Sequence, residues 1–122
     1  VEARLNANGI ELPKATTPSA NYVPYVVNND TVYISGQTPV VAGKDKFTGQ
    51  CGKEYSVEEC QQAARICGIN IIAQLKEACG GDLERVEQIL KLGGFVNATS
   101  EFGEHPKVIN GCSDLMVLAF GD

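Results

Sequence analysis

Few side chains in this chain could do chemistry. Ser35 ends the run Thr31-Val32-Tyr33-Ile34 and is followed by Gly36, Gln37, Thr38 and Pro39. The run is β-branched or aromatic throughout, which suits a largely buried strand, and a glycine at a strand end lets a ligand or another backbone come close. A hydroxyl, an amide side chain and backbone groups thus gather at one strand end. Ser35 could donate to a ligand oxygen there, or close a hydrogen bond within the turn. The phenol of Tyr22 could close over a bound acid or orient water, or serve as an amphipathic aromatic on an edge strand. Asn110 precedes Gly111 on a predicted helix whose apolar stripe includes Ile109 and Cys112, so it could line a cleft or face solvent. His105 could be an acid–base group, but beside Pro106 it fits better at an exposed helix N-terminus. Glu101 and Glu104 read as loop or first-turn charges favoured by the helix dipole.

The five cysteines, Cys51, Cys60, Cys67, Cys79 and Cys112, are odd in number and contain no Cys-x-x-Cys pair. Zinc needs close ligand pairs, and His105 has no ligand companion nearby, so no metal and no cofactor are expected. Three of the five fall on a predicted apolar stripe and read as small core residues in reducing surroundings. The expected location is the cytoplasm, without excluding an organelle. Ten basic against fifteen acidic residues leave a formal charge of −5, and the basic residues are scattered apart from Lys44 and Lys46. Phosphate neutralisation needs clustered Lys or Arg, so nucleic acid is not the expected partner; a small molecule is. No apolar run reaches membrane-spanning length and no signal sequence is visible, so no membrane partner is expected either.

The elements that must position these groups follow in order. At 122 residues the chain fits a single domain, 1–122, able to bury a core without staples. A short helical turn in residues 1–12 is broken by Asn8-Gly9, and residues 13–21 are looped. Tyr22 to Val27 reads as a strand with an edge or bulge at Pro24, Asn28-Asn29-Asp30 as a turn, and Thr31 to Ser35 as the second strand of a hairpin. Pro39-Val40-Val41 is a short strand or bend before a polar loop at 42–46. Ser56-Val57-Glu58-Glu59 is a capping box, opening a helix of about six turns with Cys60, Ala63, Ala64, Cys67, Ile71, Leu75 and Ala78 on one face. Gly80-Gly81 ends it, and 82–86 forms a short capped turn. Residues 87–97 read as a strand with a bulge or close backbone contact at Gly93-Gly94. A second amphipathic helix carries Val108, Ile109, Cys112, Leu115, Met116, Ala119 and Phe120 on one face.

Hairpin, helix, strand and helix call for an α+β layer with both helices on one face of a sheet. The second helix has no following strand, although such units return to the sheet after each helix. A further strand after Asp122 is therefore expected.

The chain resembles the RidA/YjgF family of small trimeric proteins in Ala20-Asn21-Tyr22-Val23, Ile34-Ser35-Gly36-Gln37-Thr38-Pro39, Gly80-Gly81-Asp82-Leu83 and Val108-Ile109-Asn110. It is most similar to the branch with longer motifs such as Leu90-Lys91-Leu92-Gly93-Gly94-Phe95-Val96-Asn97. The ordered succession, from about Leu5 to Asp122, is far more specific than any one motif. The resemblance implies a chorismate-mutase-like α+β fold and a homotrimer binding a small acidic metabolite in clefts between subunits. For the family's deaminase members it implies hydrolysis of enamines and imines such as 2-aminoacrylate to keto acid and ammonia. Tyr22, Ser35 and Asn110 match substrate-site positions of the family, and Phe95 matches an apolar wall. The family's carboxylate-binding arginine and the acidic residue that positions water follow the second helix. Arg4, Arg65 and Arg85 lie in other elements, so no catalytic residue is assigned. Two other functions are weighed. One is a non-catalytic metabolite-binding or interaction module on the same scaffold. The other is the endoribonuclease label of some relatives, least favoured because of the acidic balance.

Overall fold

The computed structural model describes residues 1–15, 21–42, 44–45 and 47–121. Parts of the predicted loops at 13–21 and 42–46, together with Ala20 of the first motif and the terminal Asp122, lie outside the described residues. A first helix, α1 (Glu2–Ala7), is followed by the hairpin β1 (Tyr25–Asn28) and β2 (Thr31–Ile34), then by the short pair β3 (Val40–Val41) and β4 (Lys44–Asp45). The long helix α2 (Val57–Ala78), a single 3-10 turn (Leu83–Arg85) and the last helix α3 (His105–Phe120) complete the order.

The expected α+β, chorismate-mutase-like fold is present, with its sheet divided into two antiparallel two-stranded pieces. The hairpin turn is set by local chemistry. Asn28 pairs with Thr31, and Asn29 takes a left-handed φ of 55°, which asparagine tolerates at little cost. Pairing starts at Tyr25 opposite Ile34, so Tyr22 sits in a bend before β1 and not on the strand expected from residue 22 onward. Pro24 has no N–H to give a ladder, and its carbonyl is taken by Ser35.

The capping box forms as the sequence predicts. Ser56 Oγ accepts from the Glu59 N–H at 3.2 Å, while Glu59 Oε1 accepts from the Ser56 N–H at 3.1 Å. At the other end Gly80 and Gly81 take φ of +67° and +96°, and the Gly81 N–H reaches the Lys76 carbonyl at 2.8 Å. That bond across the helix end is the chain reversal that glycine permits. The core lies between the helices: Leu5, Ile72, Leu83, Leu115 and Ala119 are at most 2% exposed. The α2–α3 contact is the most extensive in the molecule, and α2 also lies against β1, β2 and β3. Two glycines make the helix approach possible. A Cβ on Gly68 would meet Leu115 Cδ2 at 2.9 Å, and one on Gly111 would meet the Gln61 carbonyl oxygen at 2.1 Å.

Two further readings are corrected. Residues 87–97 form no strand, because a strand needs a ladder and backbone pairing begins only at their end. There the Cys51 N–H donates to the Asn97 carbonyl at 2.9 Å, and the Thr99 N–H to the Cys51 carbonyl at 3.2 Å. Of Gly93-Gly94, where a bulge or close backbone contact is expected, Gly94 alone is approached, by a side chain: a Cβ there would fall 2.3 Å from Ile109 Cδ1. The second correction concerns the cysteines. Cys51 and Cys60 form a disulfide, leaving Cys67, Cys79 and Cys112 free. A fold-back at 50–55, held by Gly52, Glu54 and Tyr55 backbone bonds, brings together two residues whose spacing carried no signal. The expectation of core cysteines in reducing surroundings fails for this pair, since disulfides persist in oxidising surroundings. Among the described residues no helix is long and apolar enough to cross a membrane.

Candidate functional site

Ser35 is half-buried at the end of β2. Its backbone N–H and its hydroxyl both donate to the Pro24 carbonyl, each at 3.0 Å. The hydroxyl proton is therefore engaged within the hairpin, and what Ser35 offers outward is its oxygen lone pairs. The next residues are held in turn. Gln37 Nε2 donates to the Ser35 carbonyl at 3.2 Å, and the Val40 N–H donates to the Thr38 carbonyl at 2.8 Å, making a tight turn around Pro39. Gly36 stands open between these anchors, with nothing within 4 Å of where a Cβ would be. Tyr22 is 47% exposed and lies two residues from the Pro24 carbonyl that Ser35 grips.

Phe95 and Asn110 belong to a second group. Gly94 is seated on Ile109 of α3, so Phe95 and Asn110 each follow one partner of that contact. Asn110 is exposed in the single chain, and Phe95 is fully exposed at 103%. The structure thus places Tyr22 with Ser35 at the hairpin end, and Phe95 with Asn110 where Gly94 meets Ile109 of α3. No hydrogen bond, ion pair or ring contact among the described residues joins the two groups.

Among the described residues no cationic group is hydrogen-bonded or ion-paired near Ser35. Arg85 donates to the Cys79 carbonyl at 3.2 Å, at the far end of α2. Arg4 lies beside Gly121, and Arg65 is half-buried on α2. Lys107 is raised above the usual lysine range by its hydrogen bond to Glu104 at 2.8 Å, and Glu54 is lowered by the Gln50 backbone N–H. His105 opens α3 beside Pro106 on the surface, where the sequence puts it, its ring edge-on to Phe102 at 5.3 Å. Two shallow grooves of about 240 and 350 Å³ run along Lys76, and neither includes Tyr22, Ser35, Phe95 or Asn110. Among the described residues no three His, Cys, Asp or Glu side chains gather as a metal site would require.

One site-supporting residue escapes a reading based on periodicity. Asn70 is 5% exposed and donates from Nδ2 to the carbonyls of Thr38 at 3.0 Å and Val40 at 3.1 Å. Its signal was present: a polar amide standing in the apolar row Ile69, Ile71, Ile72. A buried amide there must find partners.

Comparison with known proteins agrees with this architecture. The family described as "YjgF/chorismate mutase-like, putative endoribonuclease" matches residues 2–122. Protein TCP17 of Trypanosoma cruzi is 42% identical over 122 residues, covering 100% of this chain and 76% of that protein. A crystal structure of a protein of unknown function from Agrobacterium tumefaciens superposes with a TM-score of 0.92 at 42% identity, covering 99% of this chain and 74% of the other. A putative endoribonuclease from Shewanella oneidensis superposes with a TM-score of 0.95 at 43% identity, covering 98% and 79%.

Proposed function

The chain belongs to the YjgF/chorismate-mutase-like family, and we propose that within it the protein hydrolyses reactive enamine and imine intermediates of the 2-aminoacrylate type to keto acids and ammonia. The reading places the site in clefts between the subunits of a homotrimer. The observation that carries it is the state of Ser35: its hydroxyl proton points at Pro24, so its lone pairs can accept from a protonated imine N–H or from the attacking water. The chemistry then needs little else. The enamine tautomerises to a protonated imine, water adds to the C=N carbon, and the resulting carbinolamine expels ammonia to leave the keto acid. In this reading Tyr22, half-exposed two residues before Pro24, orients that water.

Separation of the two residue groups within one chain supports a site completed by a neighbouring subunit, as do the exposed Val26, Val27 and Tyr33 of the hairpin. The substrate carboxylate calls for a bidentate arginine, and none is hydrogen-bonded near Ser35 among the described residues. The test is release of pyruvate by the full-length protein from 2-aminoacrylate generated in situ. A rate well above the protein-free background is expected, and a rate equal to it would refute the assignment.

The second reading is a non-catalytic module binding small acidic metabolites. It is favoured by the lack of any arginine hydrogen-bonded near Ser35 among the described residues. Saturable keto-acid binding without turnover would establish it. Endoribonuclease activity ranks last, because a formal charge of −5 with scattered cations offers no track for a phosphate backbone. RNA cleavage surviving high salt and a clean nuclease control would reverse that order.

A further inference from the structure

The segment carrying Ser35 away from β2 is gripped from below by α2. Thr38, Pro39 and Val40 form a turn closed by the bond from the Val40 N–H to the Thr38 carbonyl at 2.8 Å. A bond spanning two residues marks a γ-turn, and proline at its centre has its φ already locked near the required value. The two carbonyls of that turn converge on one nitrogen, Nδ2 of Asn70, at 3.0 and 3.1 Å. A primary amide nitrogen carries two hydrogens, so each carbonyl can receive its own.

Nothing about α2 itself asks for this residue. Asparagine is a weaker helix former than its neighbours' positions would otherwise select, because its side chain competes for backbone partners. At 5% exposure an amide without partners would carry its full desolvation penalty. Leucine or alanine would remove the donor the two carbonyls share, leaving the Thr38 carbonyl only the Val40 N–H, and a carboxylate would set acceptor against acceptor.

We propose that Asn70 is a positioning residue of the strand-end site: by fixing the Thr38–Pro39–Val40 turn it sets how Ser35, Gly36 and Gln37 leave β2. The segment then has an anchor at each end. Pro24 holds Ser35 at 3.0 Å, and Asn70 holds the turn. Gly36, with open space around it, takes its place from those two anchors. The effect on ligand rests on the hydrolase reading above, whereas the effect on the turn does not.

Two variants of the full-length protein test this, with amide hydrogen exchange as the primary readout and pyruvate as the ligand probe. In Asn70→Leu the protection factor of the Val40 amide should fall about ten- to a hundredfold, the equivalent of two lost hydrogen bonds. Amides within α2 should keep theirs. Affinity for pyruvate should fall with the turn. Asn70→Asp should behave the same at neutral pH and recover Val40 protection as pH falls, since a protonated carboxyl can donate one bond and a carboxylate none. Unchanged Val40 protection in both variants would overturn the inference, and so would protection lost throughout α2, which would make Asn70 a core residue only. Failure of Asn70→Asp to regain protection in acid would also overturn it. A wild-type protein that neither binds pyruvate nor turns over 2-aminoacrylate would sink the hydrolase reading while leaving the exchange result to judge Asn70.

Discussion

Replacing Gly111 by alanine tests how the helix pair sets the position of Asn110. A Cβ at residue 111 would stand 2.1 Å from the Gln61 carbonyl oxygen, 2.9 Å from its carbon and 3.0 Å from its Cα. All three are backbone atoms of α2, so no side chain can swing aside. A relaxed C–H···O contact needs about 3.3 Å, so the helices must part locally by about 1 Å. A gap of that size forfeits about a quarter to a half of the attraction of each contact it opens. The contacts at risk surround Gly68, which meets Leu115 and Cys112 on α3. The bond from Gln61 Nε2 to the Lys107 carbonyl, 2.7 Å long, spans the same seam. Overpacking of this kind costs about 1–3 kcal/mol, and the surface bond adds about 0.5 kcal/mol. Alanine returns about 1 kcal/mol through its helix propensity. The net loss should be about 1.5 kcal/mol, seen as a fall of roughly 1 M in the urea midpoint at unchanged slope. Gly103→Ala is the control: its Cβ meets nothing within 4 Å, and its stability should stay within about 0.5 kcal/mol of wild type. Equal or greater stability of Gly111→Ala, the result that propensity alone demands, would refute the close-packing argument.

Two further outcomes follow from the cysteines. The Cys51–Cys60 disulfide closes a short loop with a sequence separation of 9, so Cys60→Ser should lower stability by about 2.5 kcal/mol under non-reducing conditions and by much less in strong reductant. Peptide mapping that finds both thiols alkylated in unreduced protein would contradict the bond itself. Burial, with Cys112 as a smaller contribution, pushes the Cys67 thiol up to about 11. Cys67 should therefore resist iodoacetamide at pH 8 until the protein is unfolded. Because its folded value is raised, the associated stability is present below the thiol's ordinary range and is lost as pH climbs toward 11. Rapid labelling of native protein would show the thiol to be less buried than described.

Local chemistry is legible in the residues themselves. The capping box at Ser56 and Glu59, the Gly80-Gly81 exit, the Asn29 turn and the surface position of His105 all depend on residues within a few positions of each other. The family motifs are legible for the same reason, being contiguous. Asn70 escapes because periodicity counts apolar positions, and a buried amide inside an apolar row is explained only by carbonyls about thirty residues away in the chain. Residues 87–97 mislead because β propensity describes a surface that suits a sheet, while a strand exists only when another backbone supplies the ladder.

By itself, then, the sequence determined an α+β domain, its helix boundaries, its acidic character and the family to which its motifs belong. Only the tertiary structure decided that Ser35 turns its proton toward Pro24, that Cys51 meets Cys60, and that Gly111 lies against Gln61. It also decided that Phe95 flanks the helix of Asn110 rather than the hairpin of Ser35. The physical reason is range. Propensity, capping and turn chemistry act over a few residues, whereas hydrogen-bond direction, sulfur pairing and helix spacing depend on which distant groups the packed core brings together.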